Sequence, residues 1–193
     1  MRRWNTHRTI MTVGVAFVAA TVIGCAGPVD AIAHEAFLGA LGSISITVFP
    51  AYVRDGQENR YEDAAAPRIG QFFTDEDLAA VAISEEHVPI NGPWHSNQAR
   101  MLRESAEAFA AYLAEHPVET EYGLLPEYLL LQGSAVGGIH CYIVDAENRL
   151  AHVVLLNSHW EVFIEMDPQT IDDCTSVLIE ALRGDLAVEE SGG

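Results

Sequence analysis

The chain has 193 residues, ten Arg, no Lys and 28 Asp plus Glu, for a formal charge of −18. Its hydrophobic content of 49% is enough for a sizeable core, and it excludes intrinsic disorder as a description of the whole chain. The arginines are scattered, which argues against sequence-independent nucleic-acid binding, because such binding neutralises phosphates with clustered basic side chains.

Residues 1–8 carry Arg2, Arg3 and Arg8 and no acid, and an uncharged apolar run follows from Thr9 to Gly24. A basic segment before a short apolar one is the pattern of a secretory signal, and the run is shorter than the roughly 20 residues a membrane span needs. Val22-Ile23-Gly24-Cys25 resembles the lipobox of bacterial lipoproteins. The resemblance implies that residues 1–24 are a signal peptide cut before Cys25, and that Cys25 carries a diacylglyceryl thioether. The alternatives are an uncleaved anchor or an ordinary signal peptide. Removal of residues 1–24 leaves seven Arg against 28 acids, so anionic headgroups repel the mature chain. The lipid would then be its whole attachment to the membrane, and two or more acyl chains are needed for stable anchoring.

Residues 26–42 are rich in small residues and read, with Cys25, as a lipidated tether (25–42) that can close as a short helix. Ser43 to Val48 alternates Ile44, Ile46 and Val48 with polar residues, the period of a strand with one buried face. Pro50 and the polar run from Arg54 to Asp63 end it. A helix is expected from Ala64 to Phe73 and a short strand around Ala79 to Ile83. Residues 85–97, with two Pro and one Gly, read as a loop. Ser96 or Asn97 can cap a helix from Gln98 to Glu115, with Leu102, Ala106, Phe109, Ala110 and Leu113 on one face and Pro117 after its end. Tyr122 to Leu131 is strand-like, with Pro126 pointing to an edge or a bulge.

Ile139 to Asp145 and Leu150 to Leu156 form a hairpin around residues 146–149. Pairing Asp145 with Leu150 sets His152 opposite Ile143, and His140 opposite Leu155 on the other face. A last helix starts at Asp167 or Thr170 and ends at Gly184, with Ile171, Cys174, Leu178 and Leu182 as its stripe. The order β-α-β-α-β-β-β-α describes an α/β domain of the α+β type over residues 43–184, a single mixed sheet with helices mainly on one face. Residues 185–193 read as an acidic flexible tail.

That order, with Val48-Phe49-Pro50, a helix ending at Leu113, the strand at Glu127-Tyr128-Leu129 and Val144-Asp145 before the hairpin turn, resembles the amino-terminal domain of the TolB translocation protein and related envelope lipoproteins. The chain departs from that pattern at Pro126 and in the long loop 85–97.

Of the three cysteines, lipidation of Cys25 leaves Cys141 and Cys174. These are either a disulfide formed in an oxidising envelope or two buried thiols. No glycine-rich phosphate loop, paired CxxC, HExxH or GxSxG motif is present. Ser158-His159 on a strand would point to opposite faces. The loop 85–97 offers Glu85, Glu86, His87, Trp94 and His95, with His87 and His95 as candidate metal ligands, although a zinc site needs three or four ligands at fixed geometry. Glu119 with Glu121 reads as surface charge. The expectation is a lipid-anchored envelope protein that binds or scaffolds other envelope proteins, with no catalytic residues and no cofactor. The alternative is an envelope hydrolase or metal-dependent enzyme with a site around His87, His95 and His159.

Overall fold

The computed structural model describes residues 29–55, 59–91, 97–131 and 135–187. Seven strands form one mixed sheet accompanied by five helices, the α+β class that the periodicities indicate. In chain order they are α1 (Ala31–Ala40), β1 (Ile44–Val48), β2 (Ala51–Arg54), β3 (Asn59–Glu62), α2 (Ala65–Asp75), β4 (Ala79–Ile83), α3 (Gln98–Glu115), β5 (Tyr122–Leu130), β6 (Val136–Asp145), β7 (Leu150–Leu156), α4 (Glu161–Met166) and α5 (Ile171–Leu186). The eight elements expected from sequence stand in the expected order, and α1, β2, β3 and α4 are interleaved among them.

β5 is the axis of the sheet. On one side it pairs along its length with β6, and β6 with β7, all antiparallel. On the other side β1 and β2 share its edge in succession, with Val48 opposite Leu124 and Tyr52 opposite Glu127, both parallel. β4 extends the sheet beyond β1, and β3 extends it beyond β2. Phe49 and Pro50 separate β1 from β2, and the Phe49 amide donates to the Leu124 carbonyl at 2.9 Å. This break corrects the placement of Pro126. The residue lies in a central strand opposite Cys141, where its missing N–H falls beside the gap in the neighbouring edge. The β6–β7 register has His152 opposite Ile143 and His140 opposite Leu155, as expected, but Leu150 pairs with Val144 and not with Asp145, because the ladder is irregular between Ile143 and Val144.

Strand alternation divides the core into two layers. Ile44, Ile46, Val48, Leu124, Tyr128, Cys141 and Val154 face α1, α2, α4 and α5, whereas Phe49, Tyr52, Leu125, Tyr142 and Val144 face α3 and the segment around Val88 and Ile90. Gly123 lets α3 close on β5, since a Cβ there would lie 2.8 Å from a Leu113 methyl. Caps fix the helix starts. Asn97 accepts from the Arg100 amide at 3.1 Å, and Thr170 with Asp173 forms a reciprocal capping box on α5.

Two boundaries change. The tether assigned to 25–42 is, from Asp30 onward, part of the folded body. Asp30 caps α1, its amide bonds the Leu150 carbonyl at 3.0 Å, and Ala33 and Phe37 are buried. Phe37 packs edge-on to Tyr122 and beside His152, while the His34 ring stacks on His152 at 5.4 Å. Gly42 then takes φ +85° to turn the chain into β1. At the other end α5 runs past Gly184 to a buried Leu186, so any tail begins later than residue 185.

Candidate functional site

Adjacent residues of β5 send Glu127 toward α3 and Tyr128 toward α5. Pairing register places His140 directly opposite Glu127, with Tyr142 two residues further on the same face of β6. From the other side β2 brings Arg54, and α3 supplies Ser105. All five side chains are buried, Glu127 and His140 completely. Arg54 donates to Glu127 Oε1 from Nη2 at 3.0 Å and from Nε at 3.1 Å, and Ser105 Oγ donates to the same oxygen at 3.0 Å. Glu127 Oε2 accepts from the Tyr142 hydroxyl at 2.5 Å and from His140 Nδ1 at 3.0 Å.

Burial alone would push the Glu127 carboxyl upward. The hydrogen bond and attraction from His140, the Arg54 charge and the Tyr142 hydrogen bond together hold it below the ordinary carboxylate range. Burial, and then the Glu127 charge, hold the Tyr142 phenol well above its ordinary value, so it remains a donor. An ionised carboxylate only accepts, so His140 Nδ1 carries the proton it shares with Glu127. Its Nε2 is buried without a hydrogen-bond partner among the described residues. The cluster ties β2, β5, β6 and α3 together around one charge. Its one open valence, His140 Nε2, lies inside the protein.

This cluster was missed in the sequence, although one signal was there. Glu127 is the only charged residue in the run YGLLPEYLL.

The residues nominated from sequence lie elsewhere. His87 is exposed, with Nε2 2.9 Å from Asp63 Oδ1 and its ring stacked on Tyr61 at 4.1 Å. The described part of loop 85–97 is clamped rather than open. Val88 and Ile90 are buried, and their carbonyls accept from the Tyr61 and Tyr52 hydroxyls at 3.0 and 2.9 Å. Glu86 accepts from Tyr112 at 2.7 Å. Trp94 and His95 lie outside the described residues, as does Cys25. Ser158 and His159 sit in an exposed turn after β7, where the His159 amide donates to Asn157 Oδ1 at 2.9 Å. β3, against which His87 packs, and β7, which leads to His159, are opposite edges of the sheet. Glu121 clasps Ser45, accepting from its amide at 2.8 Å and its hydroxyl at 3.1 Å.

Cys141 and Cys174 are free thiols buried in the same core layer, and burial pushes the Cys174 thiol up to about 12 and that of Cys141 upward as well. Among the described residues no three His, Cys, Asp or Glu side chains are grouped to hold a metal ion, and no helix is long and apolar enough to cross a membrane.

An apolar cleft lies along β7. It has a volume of about 630 Å³ and runs between the outer edge of β7, the start of α4 and the last turns of α5. Its walls include Val154, Leu156, Trp160, Val162 and Ala181. Trp160 is 44% exposed, and Ile164 and Met166 stand exposed on the same short helix.

No protein-family model matches the chain, and neither a curated protein sequence nor a solved structure matches it.

Proposed function

We propose that the chain is a lipid-anchored cell-envelope protein whose α/β domain binds other proteins and performs no catalysis itself. The observation that carries the binding role is the apolar cleft beside β7, where an exposed Trp adjoins a strand that, among the described strands, pairs with β6 alone. Exposed aromatic and apolar surface next to a free strand edge is a feature of protein recognition sites. The anchor rests on the lipobox-like Val22-Ile23-Gly24-Cys25, which would attach the domain to the outer membrane or the outer face of the cytoplasmic membrane. α1 is the first described helix after Cys25, and it is docked against β7. The enzyme reading around His87, His95 and His159 gains no support from the described residues, because His87 and His159 belong to opposite edges of the sheet.

Two measurements test the proposal. Palmitate labelling should be lost in Cys25→Ser, with the precursor uncleaved; labelling at the wild-type level would overturn the anchor. A photo-crosslinker at Val153, used in native membranes, should capture protein partners that the same group at Arg103 on α3 does not. Equal capture at both positions, or none at either, would overturn the binding role.

A further inference from the structure

The β7 cleft has a chemistry that selects one kind of occupant. We infer that it takes an extended peptide segment carrying alternating apolar and basic residues, which adds to the sheet as a strand beside β7. This rests on the protein-binding reading above.

Among the described residues the edge is free only over part of its length. At its start α1 already covers it, with the Leu150 carbonyl bonded by the Asp30 amide and the Ala151 carbonyl 2.8 Å from His34 Nδ1. The residues beyond, 153–156, line the cleft. An exposed strand edge presents unpaired amides and carbonyls, and a partner strand satisfies them. A cleft of similar volume, about 590 Å³, touches β4 at Ala82, but its lining, with Thr47, Ser84, Glu86, Glu115, Glu119 and Thr120, is largely polar. Side chains on one face of an added strand would enter between β7 and α4–α5 and meet Val154, Leu156, Val162 and Ala181. That favours apolar residues at every second position of the guest.

Charge decides the rest. Glu161, Glu180 and Asp185 line the cleft, and no Arg does. Glu180 is paired with Arg183, whereas Glu161 opens α4 and Asp185 stands half-exposed, 3.7 Å from His152 Nε2. A second copy of this chain, itself at −18, would bring the same carboxylates across a shared seam, so self-pairing is disfavoured. A guest with Arg or Lys flanking its apolar positions meets complementary charge instead.

The test uses the acylated full chain and fluorescently labelled nine-residue peptides that alternate Arg with Val or Glu with Val. A third peptide alternates Arg with Val but is N-methylated at every second amide. Binding is read by anisotropy. The Arg/Val peptide should bind at least tenfold more tightly than the Glu/Val peptide. N-methylation in one of its two registers should cost at least tenfold, while the other register binds normally. Glu161→Gln with Asp185→Asn should weaken binding several-fold and flatten its salt dependence, and Glu35→Gln with Glu107→Gln, which changes the charge equally elsewhere, should not. Amide shifts on binding should centre on residues 153–156. Equal binding of the Arg/Val and Glu/Val peptides, indifference to N-methylation in both registers, or equal effects of the two double variants would overturn the inference. Should the peptides fail while the Val153 crosslinker still captures a partner, the strand-addition chemistry is wrong and the binding reading stands. Failure of both removes both.

Discussion

The two faces of the sheet bury apolar layers of similar make-up and treat their polar groups in opposite ways. Between the sheet and α5 the buried polar atoms include two thiols and the Tyr128 hydroxyl, paired with Thr175 Oγ1 at 2.9 Å, and toward α1 the same face buries His152, whose ring nitrogens have no hydrogen-bond partner among the described residues. Toward α3 the sheet buries Glu127 with Arg54, His140, Tyr142 and Ser105 around it. Neighbouring residues of one strand, Glu127 and Tyr128, head the two arrangements. An uncharged group in a core needs one partner. A charge needs its whole coordination filled, and removing any member leaves the rest exposed to a low-dielectric interior.

The largest effect expected from this contrast is for Arg54→Met. It removes the cation but keeps most of the volume, and should cost about 3–5 kcal/mol of unfolding free energy at neutral pH because Glu127 is left charged and buried. The penalty should depend on pH. In the native protein the Glu127 pKa is depressed, so its contribution is present above the unfolded value of 4.5 and is lost as pH falls through the folded value. In the variant a protonated Glu127 needs no cation, so the two stability curves should converge toward pH 4. Urea unfolding at pH 7 and at pH 4 measures this, and a constant gap would show that Arg54 acts by packing alone.

On the opposite face Leu178→Ala should cost about 2–5 kcal/mol through lost transfer energy and a residual cavity. Leu178 is fully buried on α5 and touches no part of the charged cluster. Its penalty should therefore stay flat between pH 4 and pH 7. A pH-dependent loss there would mean that the two layers are coupled through β5.

Much of this architecture was legible in the sequence because period-2 and period-3.6 patterns are local. The hairpin register expected from the turn separated His140 from His152 correctly, but it missed the irregularity next to the turn that pairs Leu150 with Val144. β2 and β3 were not legible, because Pro50 and the polar residues after Arg54 look like a loop, and β2, on which β3 pairs, is held by β5 some 70 residues away in the chain. α1 was expected as a short helix in a tether, and its place in the folded body was hidden for a different reason. Its small residues give little amphipathic contrast, and only Ala33 and Phe37 are buried in the core. The buried cluster was invisible for both reasons together. Arg54 lay in a segment read as loop, and Glu127 was one of 28 acids, distinguishable only by its apolar neighbours.

A third effect, smaller per group, separates the faces at high pH. Cys174 and Cys141 have raised pKa values, so their contribution is complete below the unfolded value of 9.0 and declines as pH rises toward the folded one, about 12 for Cys174. Each thiol adds at most about 1.4 kcal/mol per pH unit to the slope. Tyr142 on the charged face follows only above its own reference value of 10.0. Between pH 9 and 10 the thiols should therefore lead, and Cys174→Ala should make the stability curve shallower in that window. An unchanged slope would show that the thiols already ionise freely in the fold.

The smallest expected effect belongs to the neutral pair. Tyr128→Phe removes one hydroxyl from the buried bond to Thr175 and leaves the ring packed as before. The loss should be about 1 kcal/mol, the net value of a neutral hydrogen bond. Thr175 keeps a second acceptor, the Ile171 carbonyl 3.5 Å from its Oγ1, so little is left unsatisfied. On the charged face the same deletion, Tyr142→Phe, removes a 2.5 Å donor from an ionised oxygen, and hydrogen bonds to charged groups are worth about 1.5–3 kcal/mol. Tyr128→Phe and Tyr142→Phe thus delete the same atom on opposite faces of one sheet. Thermal or urea unfolding of the two variants side by side should place Tyr142→Phe below Tyr128→Phe by at least a few tenths of a kcal/mol. Equal losses would mean that Glu127 draws its stability from Arg54, His140 and Ser105 and that the Tyr142 hydroxyl is a bystander.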